Sequence, residues 1–504
     1  MKRFLTLLLA GLLLCGLLLL ALPFALIQFG SPGMAAASRA LLHAAVGYSD
    51  APSTENLPVL QLAPGYQLQV YAADLGNVRF MAMTAGDDLL ISRPRSGEVL
   101  LLSRDGNGDG RADEQRVLLS ELRRPHGLAL HDGWLYVAES NAVGKIAFDE
   151  LSGMTRGRYQ RIVEGLGDAG NHWTKTIGFG PDGWLYLSSG STCNACEEAD
   201  PQRATLMRLR GDGSGLEIVA RGLRNSVGFD WAPWDGALYA TDNGRDLLGD
   251  DFPPCELNRI EAGEFYGWPY FNARRPDPDW GARRPSALPD NRPPVHEFGA
   301  HQAPLGMTFL RHQGEGYRKA ALVALHGSWN RSEPAGYKVV SLLWQADGSI
   351  VERDFVSGFL QSRQLLGRPV DVLESRDGSI FVSDDYSGRV YRISRGAGGA
   401  AEVLRPAVAG GGKPADSNYP VGRLAELSAL GQSLYGQHGC DSCHRQQGMR
   451  PLTNLTARYS VAELADFFVS PTPPMPQFEL SAGQREALAV YLLNVVDQPS
   501  ASLE

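Results

Sequence analysis

Between residues 57 and 395 one phrase keeps returning: a turn built on Asp-Gly or Asp-Asp, then a strand of alternating apolar residues. It reads GDDLLIS around Asp88, HDGWLYVAES around Gly133, PDGWLYLSSG around Gly183, WDGALYATDN around Gly236 and RDGSIFVSDD around Gly378. The glycines of the second, third and fourth copies are spaced by 50 and 53 residues, close to the one-blade period of β-propellers. A short antiparallel sheet has two apolar faces and cannot cover them alone; radial packing buries both and leaves a central channel. The 142 residues from Gly236 to Gly378 leave room for one less regular blade around KAALVALHGSW (319–329) and a Pro-rich insertion at 276–294. Six blades are expected, and the 58 glycines, 31 prolines and 20% charged residues suit a turn-rich, mainly β chain.

At 504 residues the chain exceeds a single core, and its two ends read differently from the repeats. Lys2 and Arg3 precede an almost unbroken apolar run over 4–27, long enough to span a bilayer and longer than the core of a cleaved signal. Residues 1–29 are therefore read as an N-terminal transmembrane helix or signal and 30–56 as a linker. The positive residues stay in the cytoplasm, which puts the rest on the periplasmic side of the inner membrane, N-terminally anchored, or in the periplasm if the segment is cleaved. Cys15 follows Leu14 inside the run and lacks the small preceding residue that lipidation needs. Residues 396–420, rich in Gly, Ala and Pro, form a linker. Residues 421–498 turn helical, with capping boxes at Ser460/Glu463 and Ser481/Gln484, as in a small all-α cytochrome c domain.

Cys440-Asp441-Ser442-Cys443-His444 in that segment is the C-x-x-C-H signature of a covalently attached haem c. Two thiols add to the haem vinyl groups and the adjacent imidazole becomes an axial iron ligand. A zinc site lacks a second ligand pair nearby, and a plain disulfide leaves the histidine unexplained. Met475, in the Pro-stiffened stretch PTPPMPQF, is the expected sixth ligand; Met449 lies too near the attachment site to reach the opposite face. A Met ligand raises the reduction potential, so the haem should accept electrons.

A net charge of −9 gives no broad basic surface, which excludes nucleic acid as a partner. Cys193 and Cys196 are expected to form a local disulfide in an oxidising compartment, and Cys255 to be a buried free thiol. DGNGDGRAD sets Asp105, Asn107, Asp109 and Asp113 at EF-hand-like spacing, but the twelfth position is Arg116 instead of a bidentate Glu. Both a structural Ca²⁺ and a simple Asp-Gly turn fit that stretch.

No glycine fingerprint for a nucleotide cofactor lies between a strand and a helix. Over residues 57–395 the motifs GNHWTKTIGFGPDGWLYLSSG, ARGLRNSVGFDW, TDNGRDLLGDD with EFYGWP, HGSWNRSEPAGYKVV and GRPVDVLESRDGSIFVSD together resemble the pyrroloquinoline quinone (PQQ) dependent glucose/sorbosone dehydrogenase family. The resemblance implies that His172 is a general base, that Arg224 and Asn225 hold the quinone and the reacting oxygen, and that Arg331 and Arg368 pair with PQQ carboxylates. It also implies that the backbone carbonyls of Gly244 and Arg245 bind a Ca²⁺ on the quinone and that Arg79 touches the cofactor. Where the best-known sugar dehydrogenases of the family carry a lysine against the quinone, this chain reads Trp329-Asn330-Arg331, and His326 in the same loop is a substitute contact.

The chemistry independently asks for these residue types. A tricarboxylate quinone needs guanidinium partners, a hard Ca²⁺ polarises its carbonyl, and a near-neutral His can take the hydroxyl proton as hydride leaves. The expectation is a PQQ-dependent oxidation of an aldose or related sugar, alcohol or aldehyde. Its electrons would pass through the fused haem to a downstream acceptor such as a cytochrome, an oxidase or the quinone pool. A Ca²⁺-dependent propeller lactonase, and a non-enzymatic electron-carrying or sugar-binding scaffold, are the alternatives.

Overall fold

A computed structural model describes residues 60–361, 364–396, 421–438, 461–469 and 480–493, together with Cys440, Leu452, Leu455, Tyr459, Pro471 and Phe478. The N-terminal anchor, its linker at 30–56, most of the 396–420 linker, the Ser460/Glu463 capping box, and Cys443, His444 and Met475 of the haem site lie outside the described residues. Among those described, no helix is long and apolar enough to cross a membrane. The chain divides into two units, residues 1–404 and 405–504.

The first unit contains six antiparallel sheets of four or five strands, so the count of six blades holds. The first strands of blades 1 to 6 are Met81–Met83, Leu128–His131, Lys175–Phe179, Phe229–Trp231, Pro304–Phe309 and Pro369–Glu374. Strand Tyr66–Ala72, from the start of the chain, supplies the outer edge of blade 6 by pairing with Arg389–Arg395, Tyr66 opposite Arg395. Gln61–Leu62 adds a fifth strand to blade 5 through Ile350–Ser357. These two pairings close the ring, leaving no seam between the first and last blades.

Period-two alternation explains the radial packing. In blade 3, Leu185 and Leu187 join blade 2's Tyr136 and Ala138 in one core cluster, while Tyr186 between them joins blade 4's Phe229 and Leu238 in the next. In blade 1, Leu90 packs toward Leu135 and Val137 of blade 2, and Leu89 and Ile91 pack toward Phe381 and Val390 of blade 6. The larger apolar clusters of the propeller lie chiefly between two neighbours, and a small one joins Phe80, Val227, Leu305 and Val370 of four blades, which is why one blade alone could not fold.

The repeated Asp-Gly phrase is the hairpin between first and second strands. Gly133, Gly183, Gly236 and Gly378 all have positive φ there, which glycine adopts without strain. In blade 1 Asp87 takes that conformation, with φ of 66°, a role short polar side chains tolerate. Blade 5 replaces the tight turn with a longer connection between Pro304–Phe309 and Ala320–Leu325, which is why its copy is missing from the sequence repeats. The Pro-rich insertion lies between the third and fourth strands of blade 4, Cys255–Ile260 and His296–Phe298.

The second unit has helices α1 (Val421–Gln437), α2 (Val461–Phe467) and α3 (Ala482–Tyr491) around Leu427, Leu434, Leu464, Phe468 and Leu488. Gly431 lets α1 approach α3 closely, since a Cβ there would sit 2.1 Å from the Ala487 carbonyl oxygen. The capping box expected at Ser481 and Gln484 is present at the start of α3, with both reciprocal bonds made. Cys440 follows α1 and is half-buried.

Candidate active site at the rim of the propeller

In an antiparallel blade, the segment entering the first strand and the loop joining the second and third strands lie at the same end. Arg79, His172, Arg224, Asn225 and Arg368 all fall just before a first strand, in blades 1, 3, 4, 4 and 6. Gly244, Arg245, His326 and Arg331 fall in second-to-third-strand loops of blades 4 and 5. Topology therefore brings every propeller residue singled out for the cofactor site to one rim. The Asp105–Asp113 stretch, between the third and fourth strands of blade 1, is outside this set.

A repeated carboxylate clamp shapes the rim. Asp242, the last residue of its strand in blade 4, accepts from the backbone N–H groups of Arg224 (2.8 Å) and Asn225. Asp384 holds the N–H of Arg368 in the same way in blade 6 (2.8 Å), and Glu139 holds that of Arg123 in blade 2 (2.6 Å). Burial, with the facing Glu256 carboxyl, pushes Asp242 well above the usual carboxylate range.

His172 lies against Ser191, its Nδ1 2.9 Å from Ser191 Oγ and 3.1 Å from the Ser191 carbonyl oxygen. Ser191 Oγ donates its own hydrogen to the Cys193 carbonyl at 2.7 Å. Both Ser191 oxygens therefore act as acceptors toward the ring, which assigns the proton to Nδ1 and leaves Nε2 with the free lone pair. Burial first, then the Arg224 guanidinium, holds the imidazole well below its ordinary pKa. The shift runs below the near-neutral value expected from sequence and favours the neutral, proton-accepting ring. Gly190 brings His172 and Asn225 together, because a Cβ there would lie 2.6 Å from both Asn225 Oδ1 and His172 Cβ. Gly190→Ala is expected to lower folding stability by about 1–3 kcal/mol through overpacking, as read by denaturant unfolding.

Arg224 is buried, and its guanidinium makes four hydrogen bonds to protein groups. Nε donates to the Asn194 carbonyl (3.0 Å), Nη1 to the Asn243 carbonyl (3.1 Å), and Nη2 to Asn194 Oδ1 (2.8 Å) and Asp246 Oδ2 (2.7 Å). Asp246 also meets Asn330 Nδ2 at 3.2 Å, and Asn330 lies 3.4 Å from His301 Nδ1. Arg224 thus ties the loops of blades 3, 4 and 5 together. Arg331 pairs with Asp251 at 3.0 Å and with the Asp250 carbonyl, so its charge is answered by its own chain. The Arg245 side chain turns away to Asp277 and Asp279 of the Pro-rich insertion. Among the described residues, the carbonyl oxygens of Gly244 and Arg245 accept no backbone hydrogen bond, which leaves them available to a cation.

Across the rim a second network joins blades 1, 5 and 6. Asp385 takes Arg79 at 2.8 Å and His326 Nε2 at 2.9 Å, and Arg368 Nε donates to the His326 carbonyl at 3.3 Å. Burial pushes the Asp385 carboxyl up, but His326, Arg79 and Arg368 outweigh it and hold the group well below the usual range. Burial, with Arg368, brings His326 down to about 4. Arg79 Nε, Asn243 Oδ1 and Asn330 Oδ1 are buried and have no partner among the described residues. Unpaired buried polar atoms are costly, and three of them on one rim mark a place for a polar ligand.

Cys193 and Cys196 form the expected disulfide, in the same loop as Ser191 and Asn194, and Cys255 is a buried free thiol. Their sulfurs and Glu198 are the one His/Cys/Asp/Glu group among the described residues with metal-like convergence, and the disulfide removes both thiolates from that role. In the Asp105–Asp113 loop the side chains serve the backbone instead: Asp105 accepts from Gly108 and Gly110, Asn107 from Asp109, and Asp113 from Gly106. Arg392 adds an ion pair to Asp105 at 3.3 Å. Those contacts support the turn reading over the Ca²⁺ reading of Asp105, Asn107, Asp109 and Asp113.

Sequence reasoning missed Asp246, Asp385, Asn194 and His301. Each stands in a rim loop without a spacing pattern of its own, and the only signal was position: just past a second strand or just before a first one.

A family model described as TrAA12-like matches residues 60–252 and 286–396, leaving out most of the Pro-rich insertion. A protein of Borreliella burgdorferi with no assigned role is 40% identical over 219 residues, 42% of this chain and 56% of its own. A PQQ-dependent pyranose dehydrogenase of Coprinopsis cinerea is 39% identical over 118 residues, 19% of this chain and 16% of its own. The chain therefore spans only part of the curated relatives it matches. Among solved structures, the PQQ domain of the Coprinopsis cinerea pyranose dehydrogenase in its holo form superposes with a TM-score of 0.56 at 20% identity, covering 68% of this chain and 98% of that one. A Trichoderma reesei carbohydrate-active enzyme of family AA12 gives 0.56 at 21%, covering 68% and 100%, and the apo aldose sugar dehydrogenase of Escherichia coli 0.51 at 18%, covering 66% and 100%. At these identities the structures speak for the fold alone, whereas the family model spans most of the six blades and the rim they carry, and on that match the chain belongs to the TrAA12-like family.

Proposed function

We propose that this chain is a PQQ- and Ca²⁺-dependent dehydrogenase that oxidises a pyranose or related aldose and passes the electrons to its own C-terminal haem c and on to a respiratory acceptor. The observation that carries the reading is His172, its Nδ1 held by the two Ser191 oxygens and its Nε2 left over, on the same rim as the guanidiniums of Arg79, Arg224 and Arg368. The residues fit the cofactor. Among the described residues Arg79 Nε is buried and unpartnered, and the hydrogen bond of the Arg368 side chain is made by Nε, leaving its Nη groups for a carboxylate. PQQ, when bound, supplies an ortho-quinone that accepts hydride, and Ca²⁺ on the Gly244 and Arg245 carbonyls would polarise it.

The protein's part is then to bind, orient and move a proton. His172 Nε2 takes the substrate hydroxyl proton, and Asn225, beside it across Gly190, orients the reacting oxygen. Arg224 organises the pocket walls instead of gripping the quinone itself. The Arg79–Asp385–His326 network keeps charge fixed on the far side. In the second unit, Cys440 and Cys443 would carry the haem and His444 and Met475 would ligate its iron. The chain would face the periplasm from an N-terminal anchor.

The test is a redox-difference spectrum of the purified chain after reconstitution with PQQ and Ca²⁺, with a panel of aldoses and an artificial dye. Sugar-driven ferrous haem bands with dye reduction are expected. Lactone hydrolysis without dye reduction would make the protein a lactonase, and no response to any sugar would leave an electron-carrying or sugar-binding scaffold.

A further inference from the structure

We propose that Arg203 is a positioning residue that fixes the tautomer and ring orientation of His172. The inference rests on the reading of His172 as the base. Arg203 stands at the end of the loop that carries Ser191 and Asn194, just before strand Thr205–Leu209, and is 2% exposed. Its guanidinium forms no ion pair with a carboxylate among the described residues. Nε donates to the Gly190 carbonyl, Nη1 to those of Gly167 (2.9 Å) and Ala169 (3.1 Å), and Nη2 to those of His172 (3.1 Å) and Ser191 (2.8 Å). All five N–H donors of the side chain are spent on backbone carbonyls, drawn from the segment that carries His172 and from the one that receives its ring.

A buried cation that spends every donor on carbonyls, with Glu198, Asp200 and Asp168 acting on it without a direct ion pair, is an expensive way to fill space. What it gains here is geometry. The Ser191 carbonyl that Arg203 holds is the same oxygen that faces His172 Nδ1, so the guanidinium sets the acceptor that dictates which ring nitrogen keeps its proton. Lys175, fully buried, is a second basic group on the same segment, donating to the Gly167 and Trp173 carbonyls at 3.0 and 3.3 Å. Gly170 lets the two segments lie flat on each other, since a Cβ there would come within 2.0 Å of the Thr192 carbonyl oxygen. The charged groups acting on the His172 ring are Arg224 and Arg203, both cationic; each disfavours the imidazolium.

The experiment compares Arg203→Lys and Arg203→Met with the wild type in two assays. Long-range ¹⁵N–¹H spectra of histidine-labelled protein, without added PQQ, should show a single neutral Nδ1–H tautomer for His172 in the wild type. Mixed tautomers that titrate closer to the ordinary histidine range are expected in the variants. In PQQ-reconstituted protein, kcat should fall about 10- to 100-fold with KM within about threefold, and the acid limb of the pH profile should move upward. Arg203→Lys should keep more of both signatures than Arg203→Met. An unchanged tautomer and unchanged kcat in both variants overturn the proposal, as does failure of both to fold, which would make Arg203 purely structural. Should the wild type oxidise no sugar, the reading of His172 as a base falls, while the spectra still decide whether Arg203 orients the ring.

Discussion

Replacing His172 by Gln is expected to lower turnover at least about a hundredfold while leaving PQQ affinity within about threefold. The amide can hold a hydrogen bond to Ser191 and occupies similar volume, so the pocket survives. It cannot accept a proton at neutral pH, and the hydroxyl proton has nowhere to go as hydride leaves. The pH profile supplies an independent sign. Because burial and Arg224 depress the imidazole pKa well below 6.5, the working neutral form persists on acidification. In the wild type kcat/KM should stay level as pH falls through 6.5 and drop only below it. Stopped-flow reduction of the reconstituted protein measures both quantities, and turnover in His172→Gln equal to wild type removes the residue from the mechanism.

The propeller was legible because its repeats combine two signals that must coincide in any blade: a turn that needs positive φ and a strand whose alternate residues serve two different neighbours. Leu185, Tyr186 and Leu187 show both, one strand feeding two clusters. Blade 5 was harder to see because its first hairpin carries no Asp-Gly turn. The rim was half legible. Residues at the entry to first strands, such as His172 and Arg224, sit in short motifs that survive as text. Their partners Asp246 and Asp385 come from the next loop across or from another blade, and separations of 22 residues for Arg224–Asp246 and 306 for Arg79–Asp385 leave no local trace. The Asp105–Asp113 stretch fits two readings as text. Its Asp and Asn spacing invites a cation reading, yet the same side chains satisfy backbone N–H groups within a tight loop, which is the commoner use of Asx residues in turns.

The second large effect is expected from Arg224→Ala, and it follows from what Arg224 holds. Its side chain, 5% exposed, makes four bonds to Asn194, Asn243 and Asp246. Removing it takes one donor each from two carbonyls, an amide oxygen and a carboxylate, although the Asn194 carbonyl keeps Trp268 Nε1 and Asn194 Oδ1 keeps the Asp246 N–H. Breaking a buried charge pair from one side costs about 3–5 kcal/mol, and Asp246, at 21% exposure, keeps enough water to place this case near the lower end. Arg224→Lys should recover part of the loss, because an ammonium can answer Asp246 but cannot span the fork to both Asn194 oxygens. Chemical denaturation of the propeller would read the stability change, and a PQQ titration on the folded fraction would read the pocket. If Arg224→Ala unfolds within about 1 kcal/mol of wild type and binds PQQ as well, the guanidinium is a surface group and the loops of blades 3, 4 and 5 are held by something else. If stability falls but affinity in the folded fraction does not, Arg224 is scaffold alone. A joint loss identifies one buried cation as the knot that both folds the rim and shapes the cofactor's seat.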